Sequence, residues 1–556
     1  MSAVVGTRAE AGERKSGLRL APEMSVERLA LIAALYFTVF CNGPLFAAVA
    51  ATGALHGLSG WLTGLSLFVM VAALSVLLLG LLLYRPIAKP VLIVLLLVTA
   101  VALRFMSEYS VYLDTDMIRN VLHTDGKESG ELMSWRLLPS LFLYGVLPSL
   151  LVWRVRLTRR PWPRAVLVRT AVLAAALAVA GGAALLSFQN LSSLMRNHRE
   201  LRHLITPGNY LMSLARVAVE ARADKNRPRV PLGEDARVIG RPLGAKPRLL
   251  VIVVGETVRA QNWGLNGYAR QTTPELARIG PINFREVQSC GTSTEVSVPC
   301  MFSPWGRHDY DRARIKGSQS LLHVLEHAGI PTLWRDNQTG CKGVCDGLAF
   351  ESFEHGDDPR YCDANGCSDE VLLQGLDAEL ARRPGDMVLV LHQLGNHGPS
   401  YYKRYPPQFE RYRPACKSDD LGQCSLGEIV NAYDNAILHT DAFLAATIRT
   451  LAERSGRDTA MIYLSDHGES LGENGLFLHG VPYAIAPKTQ TRVPMTMWLS
   501  PGFTASRGID GVCLRRRAQL PASQDHLFHS VLGLMQVRTA VYDPKLDLFA
   551  GCERPR

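Results

Sequence analysis

Charged residues are scarce in this sequence. Asp, Glu, Lys and Arg make up 20% of its 556 residues, against roughly 25% in an average soluble protein. Disorder needs the reverse balance, low hydrophobicity with high charge, and 47% of these residues are hydrophobic. No Gly-x-y repeat runs through the chain, which excludes a collagen-like fibre. Cysteine is nearly missing from the first half, where Cys41 stands alone before residue 289; a chain this long is no small disulfide scaffold. No helix-turn-helix, zinc-finger or RNA-binding signature is present. The net charge of +10 is therefore read against anionic membrane lipid, and no nucleic-acid partner is expected.

What the chain does have is an apolar first third. Charge-free runs occupy Leu29–Ala51, Trp61–Tyr84, Val91–Leu103, Leu137–Trp153 and Thr170–Phe188. A helix needs about 20 residues to cross a bilayer. Four runs are long enough, and the third becomes so if extended from Ile87 to Met106 with Arg104 snorkelling. The first run is too long, and too far from a small-residue cleavage site, for a signal peptide. Residues 1–190 are thus expected to form a transmembrane domain of five helices.

Basic residues in short loops set the orientation. Arg8, Arg14, Lys15, Arg19 and Arg28 precede the first run. Arg85 and Lys89 join the second to the third, and Arg154, Arg156, Arg159, Arg160 and Arg164 the fourth to the fifth. The loop 51–60 has no Lys or Arg, and loop 107–136 is mainly acidic. A cytoplasmic N-terminus follows, and five crossings place everything after about residue 190 outside.

The cysteines agree with that topology. Ten follow residue 288, and an even number outside the cytoplasm reads as disulfides. Close spacing favours Cys290–Cys300, Cys341–Cys345, Cys362–Cys367 and Cys416–Cys424. Cys513 and Cys552 are left to pair by elimination. A zinc site at Cys341/Cys345 is disfavoured, because oxidised thiols do not bind metal.

Residues 191–246 are polar and basic, with several prolines. They read either as a solvated linker or as an interfacial helix showing Leu194, Leu201 and Leu204 to the membrane surface. From Pro247 onward short apolar runs alternate with helical stretches. The expected strands are Leu249–Val254, Thr332–Trp334, Met387–Leu391 and Ala460–Leu464. The expected helices are Ser318–His327, Asp369–Arg382, Gly427–Glu453 and Ser523–Met535. Wholly apolar strands between helices predict an α/β domain over 247–556 with a mainly parallel sheet covered on both faces.

Three of those strands end in unusual chemistry. The first runs into Gly255-Glu256, the third into His392 through Gly398, including His397, and the fourth into Ser465-Asp466-His467-Gly468-Glu469. Parallel sheets place ligands at the carboxyl ends of their strands. Oxygen and imidazole donors converging there suit zinc or manganese, with His479 a further candidate. The hydroxyl-rich segment Ser289–Cys300 follows another probable strand and could enter a helix whose N-terminal amides favour a phosphate. Its alternative is a plain N-cap and turn.

As a set, the motifs resemble the lipid A phosphoethanolamine transferases, a branch of the alkaline phosphatase/sulfatase superfamily that includes the mobile colistin-resistance enzymes. The matching stretches are 253–260 (Val-Val-Gly-Glu-Thr-Val-Arg-Ala), 266–270 (Asn-Gly-Tyr-Ala-Arg), the threonine-rich segment through 303, 395–399 (Gly-Asn-His-Gly-Pro), 431–435 (Asn-Ala-Tyr-Asp-Asn) and 465–475 (Ser-Asp-His-Gly-Glu-Ser-Leu-Gly-Glu-Asn-Gly). They span most of the second half, in order.

The resemblance implies one tightly bound Zn2+, with room for a second. It implies Glu256, Asp466, His467 and Thr294 as ligands, and Thr294 rather than Thr292 as nucleophile. His397 and His479 would contact substrate or a second zinc, and Lys342 and Asn337 the substrate. Asn120 and Thr124, in Met117–Thr124, would meet the lipid headgroup. The implied reaction moves phosphoethanolamine from phosphatidylethanolamine to a lipid A phosphate through a phosphoethanolamine-threonine intermediate. It would occur at the periplasmic face of a bacterial inner membrane and lower polymyxin susceptibility. The implied partners are donor lipid, lipid A or lipopolysaccharide, and membrane lipids. Lipopolysaccharide core and periplasmic glucans are alternative acceptors. A related phosphodiesterase or glycerol-phosphate transferase is the rival activity. A sulfatase is disfavoured, because Cys300-Met301-Phe302-Ser303 lacks the Cys-x-Pro-x-Arg context for formylglycine.

Overall fold

The computed structural model describes residues 22–123, 130, 135–224, 228–240, 244–354, 356, 358–363 and 366–553. Two compact units form. One comprises Met1–Arg104 and Arg136–Gly208, the other Phe105–Trp135 and Asn209–Arg556. The described start of the acidic loop between the expected third and fourth spans, residues 105–123, therefore folds with the second half of the chain.

In the first unit, Gly57–Leu82, Ala88–Glu108, Leu137–Arg154 and Trp162–Leu186 are long and apolar enough to cross a membrane. Val26–Cys41 and Gly43–Ala51 make a fifth if their 47° bend lies within one span. The bend has local causes. Asn42 leaves helical geometry (φ −108°, ψ 20°), Pro44 opens the next helix, and Phe37–Cys41 is a π-turn. Backbone freed in hydrocarbon must find partners. Asn42 supplies them, donating to the Phe37 and Thr206 carbonyls at 2.9 Å and accepting from the Thr206 amide at 3.0 Å.

The connecting segment is helical over Phe188–Asn197 and Gly208–Asp224. Leu194, Leu201 and Leu204, for which the sequence left open a solvated linker or an interfacial helix, are buried in protein. Their helical spacing marks an apolar face and does not say what covers it.

The second unit is built on an eight-stranded sheet. Its strands are β1 Arg248–Gly255, β2 Ile282–Gln288, β3 Thr332–Asp336, β4 Phe350–Ser352, β5 Met387–His392, β6 Asp458–Ser465, β7 Arg492–Leu499 and β8 Ala522–Ser523. The order is β8-β2-β7-β6-β1-β5-β3-β4. All four strands expected from apolar runs are present, side by side and parallel. Every residue of β1, β3, β5 and β6 is buried. The sheet is mainly parallel; β7 is antiparallel to both neighbours. The apolar-run reading missed β7 because Pro494 interrupts it. There the pairing with β2 shifts register between Val493 and Met495, the place a strand proline takes.

Three helices bear on the site: α1 Thr115–His123, α2 Thr294–Met301 and α3 Leu426–Ala452. α3 opens with a capping box, Ser425 and Glu428 each bonding the other's backbone. The expected helix 369–382 is broken, because Gly375 takes a left-handed φ of 65° between a short 3-10 turn and Leu376–Arg382. The expected helix from Ser523 starts at His526, since Ala522–Ser523 pair with β2 instead.

Register brings the chemistry together. Val254 lies opposite both Leu464 and His392, Gly255 opposite Ser465, and His392 opposite Asp336. Whatever follows Gly255 and Ser465 must therefore emerge at one place.

Candidate metal centre and active site

Glu256 leaves the end of β1, and Asp466 and His467 leave the end of β6. All three are fully buried. One ligand atom of each lies within 4.8 Å of the other two. The backbone clamps them. Asp466 N–H donates to the Gly255 carbonyl at 2.9 Å, and Asp466 Oδ1 accepts from the Thr257 and His467 amides at 3.0 and 2.6 Å. Thr257 holds a left-handed φ of 61° while its hydroxyl donates to Glu256 Oε1 at 2.6 Å. Non-glycine residues accept such strain mainly at functional sites.

Thr294 is the first residue of α2, behind the extended Ser293. Its hydroxyl donates to Glu256 Oε2 at 3.1 Å, with Oε1 at 3.2 Å, and sits 3.4 Å from His467 Nε2. Thr292 instead donates to the Val481 carbonyl at 2.8 Å. The four residues read from the resemblance as ligands are thus together.

These donors fit a metal ion. Asp466 Oδ2 is buried without a hydrogen bond, a costly state unless a cation meets it. His467 Nδ1 donates to the Gly468 carbonyl at 2.9 Å, which turns Nε2 toward both carboxylates at 3.3 Å. That carbonyl is the outer support a ligating imidazole needs. Burial and the neighbouring Glu256 charge push the Asp466 carboxyl up to about 6. Burial opposes charge on His467, but Asp466 and Glu256 outweigh it and push the imidazole up to about 10. Burial also opposes charge on Glu256, yet His467 holds it well below the usual carboxylate range.

The further histidines converge on this centre. The His479 ring lies 4.3 Å from that of His467 and 5.8 Å from that of His397. His479 Nδ1 donates to the buried Glu469 at 3.0 Å. The loop carrying His397 crosses Glu256, and Asn396 N–H donates to the Glu256 carbonyl at 3.0 Å. Gly395 permits that approach. Its φ is 54°, and a Cβ there would stand 2.8 Å from the same carbonyl.

The other residues taken from the resemblance sit apart from the cluster. Asn337 donates to the Cys367 carbonyl and to Asp369 Oδ1 at 3.0 and 2.9 Å. Asp369 in turn receives the Leu394 and Gly395 amides, so Asn337 reaches the His397 loop through it. Lys342, at a left-handed φ of 51°, donates to the Thr339 carbonyl at 2.9 Å. It lines a cavity of about 700 Å³ with His123, Glu295 and Lys316. Asn120 lies half-buried on α1; Thr124 is outside the described residues. All five expected disulfides are formed, Cys513–Cys552 included, and the buried Cys41 is free.

Sequence reading passed over three supports. Asp336, fully buried, pairs at 2.7 Å with the equally buried His392, which heads the strand-end cluster visible in the sequence. Gln524 is tied to the ligand turn from far along the chain. Glu295 gathers His123, Arg312 and Lys316. Burial opposes its charge, but these partners hold it well below the usual carboxylate range.

A mainly parallel α/β sheet with acidic and imidazole groups gathered at adjacent strand ends, facing a buried threonine hydroxyl at a helix start, has the layout of a metal-assisted hydrolase or transferase. Residues 248–537 match the family described as Sulfatase. Residues 71–222 match the family described as Phosphoethanolamine transferase EptA/EptB. The phosphoethanolamine transferase EptA of Escherichia coli strain K12 is 37% identical over 96% of this chain and 98% of its own length. The phosphatidylethanolamine transferase Mcr-1 of Escherichia coli is 41% identical over 75% of this chain and 79% of its own. The integral membrane lipooligosaccharide phosphoethanolamine transferase A of Neisseria meningitidis superposes with a TM-score of 0.91 at 36% identity, covering 96% of this chain and all of that one. The chain belongs to the phosphoethanolamine transferases.

Proposed function

We propose that this enzyme takes phosphoethanolamine from phosphatidylethanolamine and transfers it to a lipid A phosphate through Thr294. The observation that carries the reading is the Thr294 hydroxyl at 3.1 Å from Glu256 and 3.4 Å from His467, inside a donor set suited to zinc. The names of the Mcr-1 and Neisseria relatives support the donor and the acceptor class. Residues 1–190 hold the membrane-spanning helices, with a cytoplasmic N-terminus; 191–246 connect them to the periplasmic catalytic domain 247–556, with which 105–123 fold. Basic short loops support that orientation.

Glu256, Asp466, His467 and Thr294 would hold zinc. When bound, the ion lowers the pKa of the coordinated hydroxyl and offsets negative charge on the phosphoryl oxygens. Thr294 Oγ1 attacks phosphorus, an Oγ–P bond forms, and the bond from phosphorus to the diacylglycerol oxygen breaks. The hydroxyl proton passes to that leaving oxygen, and His397 or His479 carries it. A lipid A phosphate hydroxyl oxygen then attacks the phosphorus on Thr294, a new P–O–P bond forms, the Oγ–P bond breaks, and the proton of the attacking hydroxyl returns to Thr294 Oγ1. Lys342 stabilises charge on the phosphoryl group; Asn120 and Thr124 orient the headgroup, and Asn337 supports the His397 loop. The product carries fewer net negative charges at the cell surface, so polymyxin binds less.

Mass spectrometry of lipid A from a host expressing the full chain tests this. The expected result is a phosphoethanolamine adduct with the wild type and none with Glu256→Ala/Asp466→Ala, whose purified protein should also lose zinc. Adducts on core or glucan alone would move the acceptor and leave the chemistry. An active double variant with stoichiometric zinc would sink the site.

A further inference from the structure

Glu295 follows the nucleophile directly, yet its carboxylate takes no part in the metal cluster. It is 3% exposed and meets three basic side chains. His123 Nδ1, at the end of α1, lies 3.2 Å from Oε2. Arg312 Nη2 and Lys316 Nζ, from the helix Arg312–Lys316, each lie 3.2 Å from Oε1. Arg312 also reaches back to α1, 3.6 Å from Asp116. The apolar Val121 and Leu122 of α1 are 58% and 55% exposed. Charged contacts thus tie α1 to Glu295 of α2 directly through His123 and to the helix Arg312–Lys316 through Asp116. Asn120 stands three residues before His123, on the same side of the helix.

A buried carboxylate is stable only while its partners stay. Removing the charge at Glu295 leaves Arg312, Lys316 and His123 facing each other without an anion. The effect of interest is on the placement of α1, because His123 is the partner that α1 itself supplies.

We propose that Glu295 is a positioning residue that fixes α1, and the donor headgroup contacts it carries, in register with Thr294. The inference rests on the reading of Thr294 as nucleophile and α1 as the headgroup element. It predicts a division between donors. A lipid held in the membrane depends on α1; a small water-soluble ester diffuses to Thr294 without it.

The test is steady-state kinetics of the full-length enzyme with phosphatidylethanolamine vesicles and, separately, with a 4-nitrophenyl ester of phosphoethanolamine. Glu295→Gln should raise KM for the vesicle donor about ten-fold, the scale of one lost charge-assisted hydrogen bond, with kcat little changed. Its kinetics on the ester should stay near wild type. His123→Ala should give a weaker effect of the same kind, and the double variant no more than Glu295→Gln alone. The His123 side chain is 58% exposed, so this variant carries the test even if Glu295→Gln folds poorly. An equal fall in kcat on both donors, or no change on either, overturns the proposal. Two controls separate it from the readings beneath it. Thr294→Ala retaining ester turnover would fail the nucleophile reading. Asn120→Ala with normal vesicle KM, beside a raised KM in Glu295→Gln, would fail only the Asn120 contact.

Discussion

Gln524 donates through Nε2 to the carbonyl of Asp466 at 2.6 Å and to that of Ser465 at 2.7 Å. Its Oε1 accepts the Cys290 amide at 2.7 Å. One fully buried amide thus ties the Asp466-His467 turn, proposed to ligate zinc, to the start of the segment that carries Thr294. Leucine at this position keeps the volume and loses every bond. Each unsatisfied buried group costs about 1–3 kcal/mol, so Gln524→Leu should lower Tm clearly. Outer supports of metal ligands typically matter by about 10–100-fold in affinity. Chelator competition should show zinc held that much more weakly, and wild-type affinity would show that the turn stands without Gln524.

The sequence showed the parts of this site that obey simple physical rules. β1, β3, β5 and β6 are buried on both faces, so their apolar runs were visible. Glu256, Asp466 and His467 follow two of them directly. Neighbouring cysteines paired as close spacing suggests. What stayed hidden depends on tertiary placement. β7 carries a proline at a bulge, which masks a strand. Gln524 reaches the site by following β8, an edge strand two residues long. Leu194, Leu201 and Leu204 show an apolar stripe, but periodicity cannot tell lipid from protein as its cover. Glu295 sits in a hydroxyl-rich segment where only the hydroxyls drew attention, and its partners lie at positions 123, 312 and 316.

The disulfides make a countable prediction. Ten cysteines are paired and Cys41 is free. Protein denatured without reductant should therefore show one reactive thiol, and blocking followed by peptide mapping should place it at Cys41. A native disulfide in an extracytoplasmic domain contributes about 2–4 kcal/mol, so synthesis in a reducing cytoplasm should give poorly folded protein. Two or more further thiols in oxidised protein would refute the pairing.

Glu370 and His439 give a pH signature away from the metal ligands. His439 Nε2 donates to Glu370 Oε1 at 2.9 Å. Burial opposes the Glu370 charge, but His439 pulls the carboxyl down to about 2. Burial likewise opposes charge on His439, and Glu370 raises it above its ordinary 6.5. The depressed carboxyl stabilises above its unfolded value of 4.5, and that contribution is lost as pH falls toward 2. The raised imidazole stabilises below 6.5, and that contribution is lost as pH climbs through its folded value. Both are complete between 4.5 and 6.5. The Tm gap between wild type and His439→Gln should be widest there and narrow on either side. Lost packing against Phe409, at 4.9 Å between rings, adds a constant offset. A gap independent of pH would show that the pair carries no net charge interaction.

The proposed covalent step on Thr294 is open to direct test, and its neighbour supplies the control. A hydroxyl that attacks phosphorus cannot be replaced by a methyl, so Thr294→Ala should lose activity by several orders of magnitude. Thr294→Ser should keep part of it, because it retains the oxygen but loses the methyl that restricts χ1. With donor lipid and no acceptor, the wild type should accumulate a phosphoethanolamine adduct, seen as a mass shift on the peptide spanning Cys290–Cys300. Thr292 shares that peptide and is the alternative if the role lies two residues earlier. Its hydroxyl, however, is committed to the Val481 carbonyl at 2.8 Å, while that of Thr294 faces Glu256 and His467. Thr292→Ala should therefore disturb stability more than turnover. If Thr292→Ala abolishes lipid modification while Thr294→Ala spares it, the nucleophile is misassigned and the mechanism stands. If both variants remain active, no threonine intermediate forms and the covalent mechanism fails.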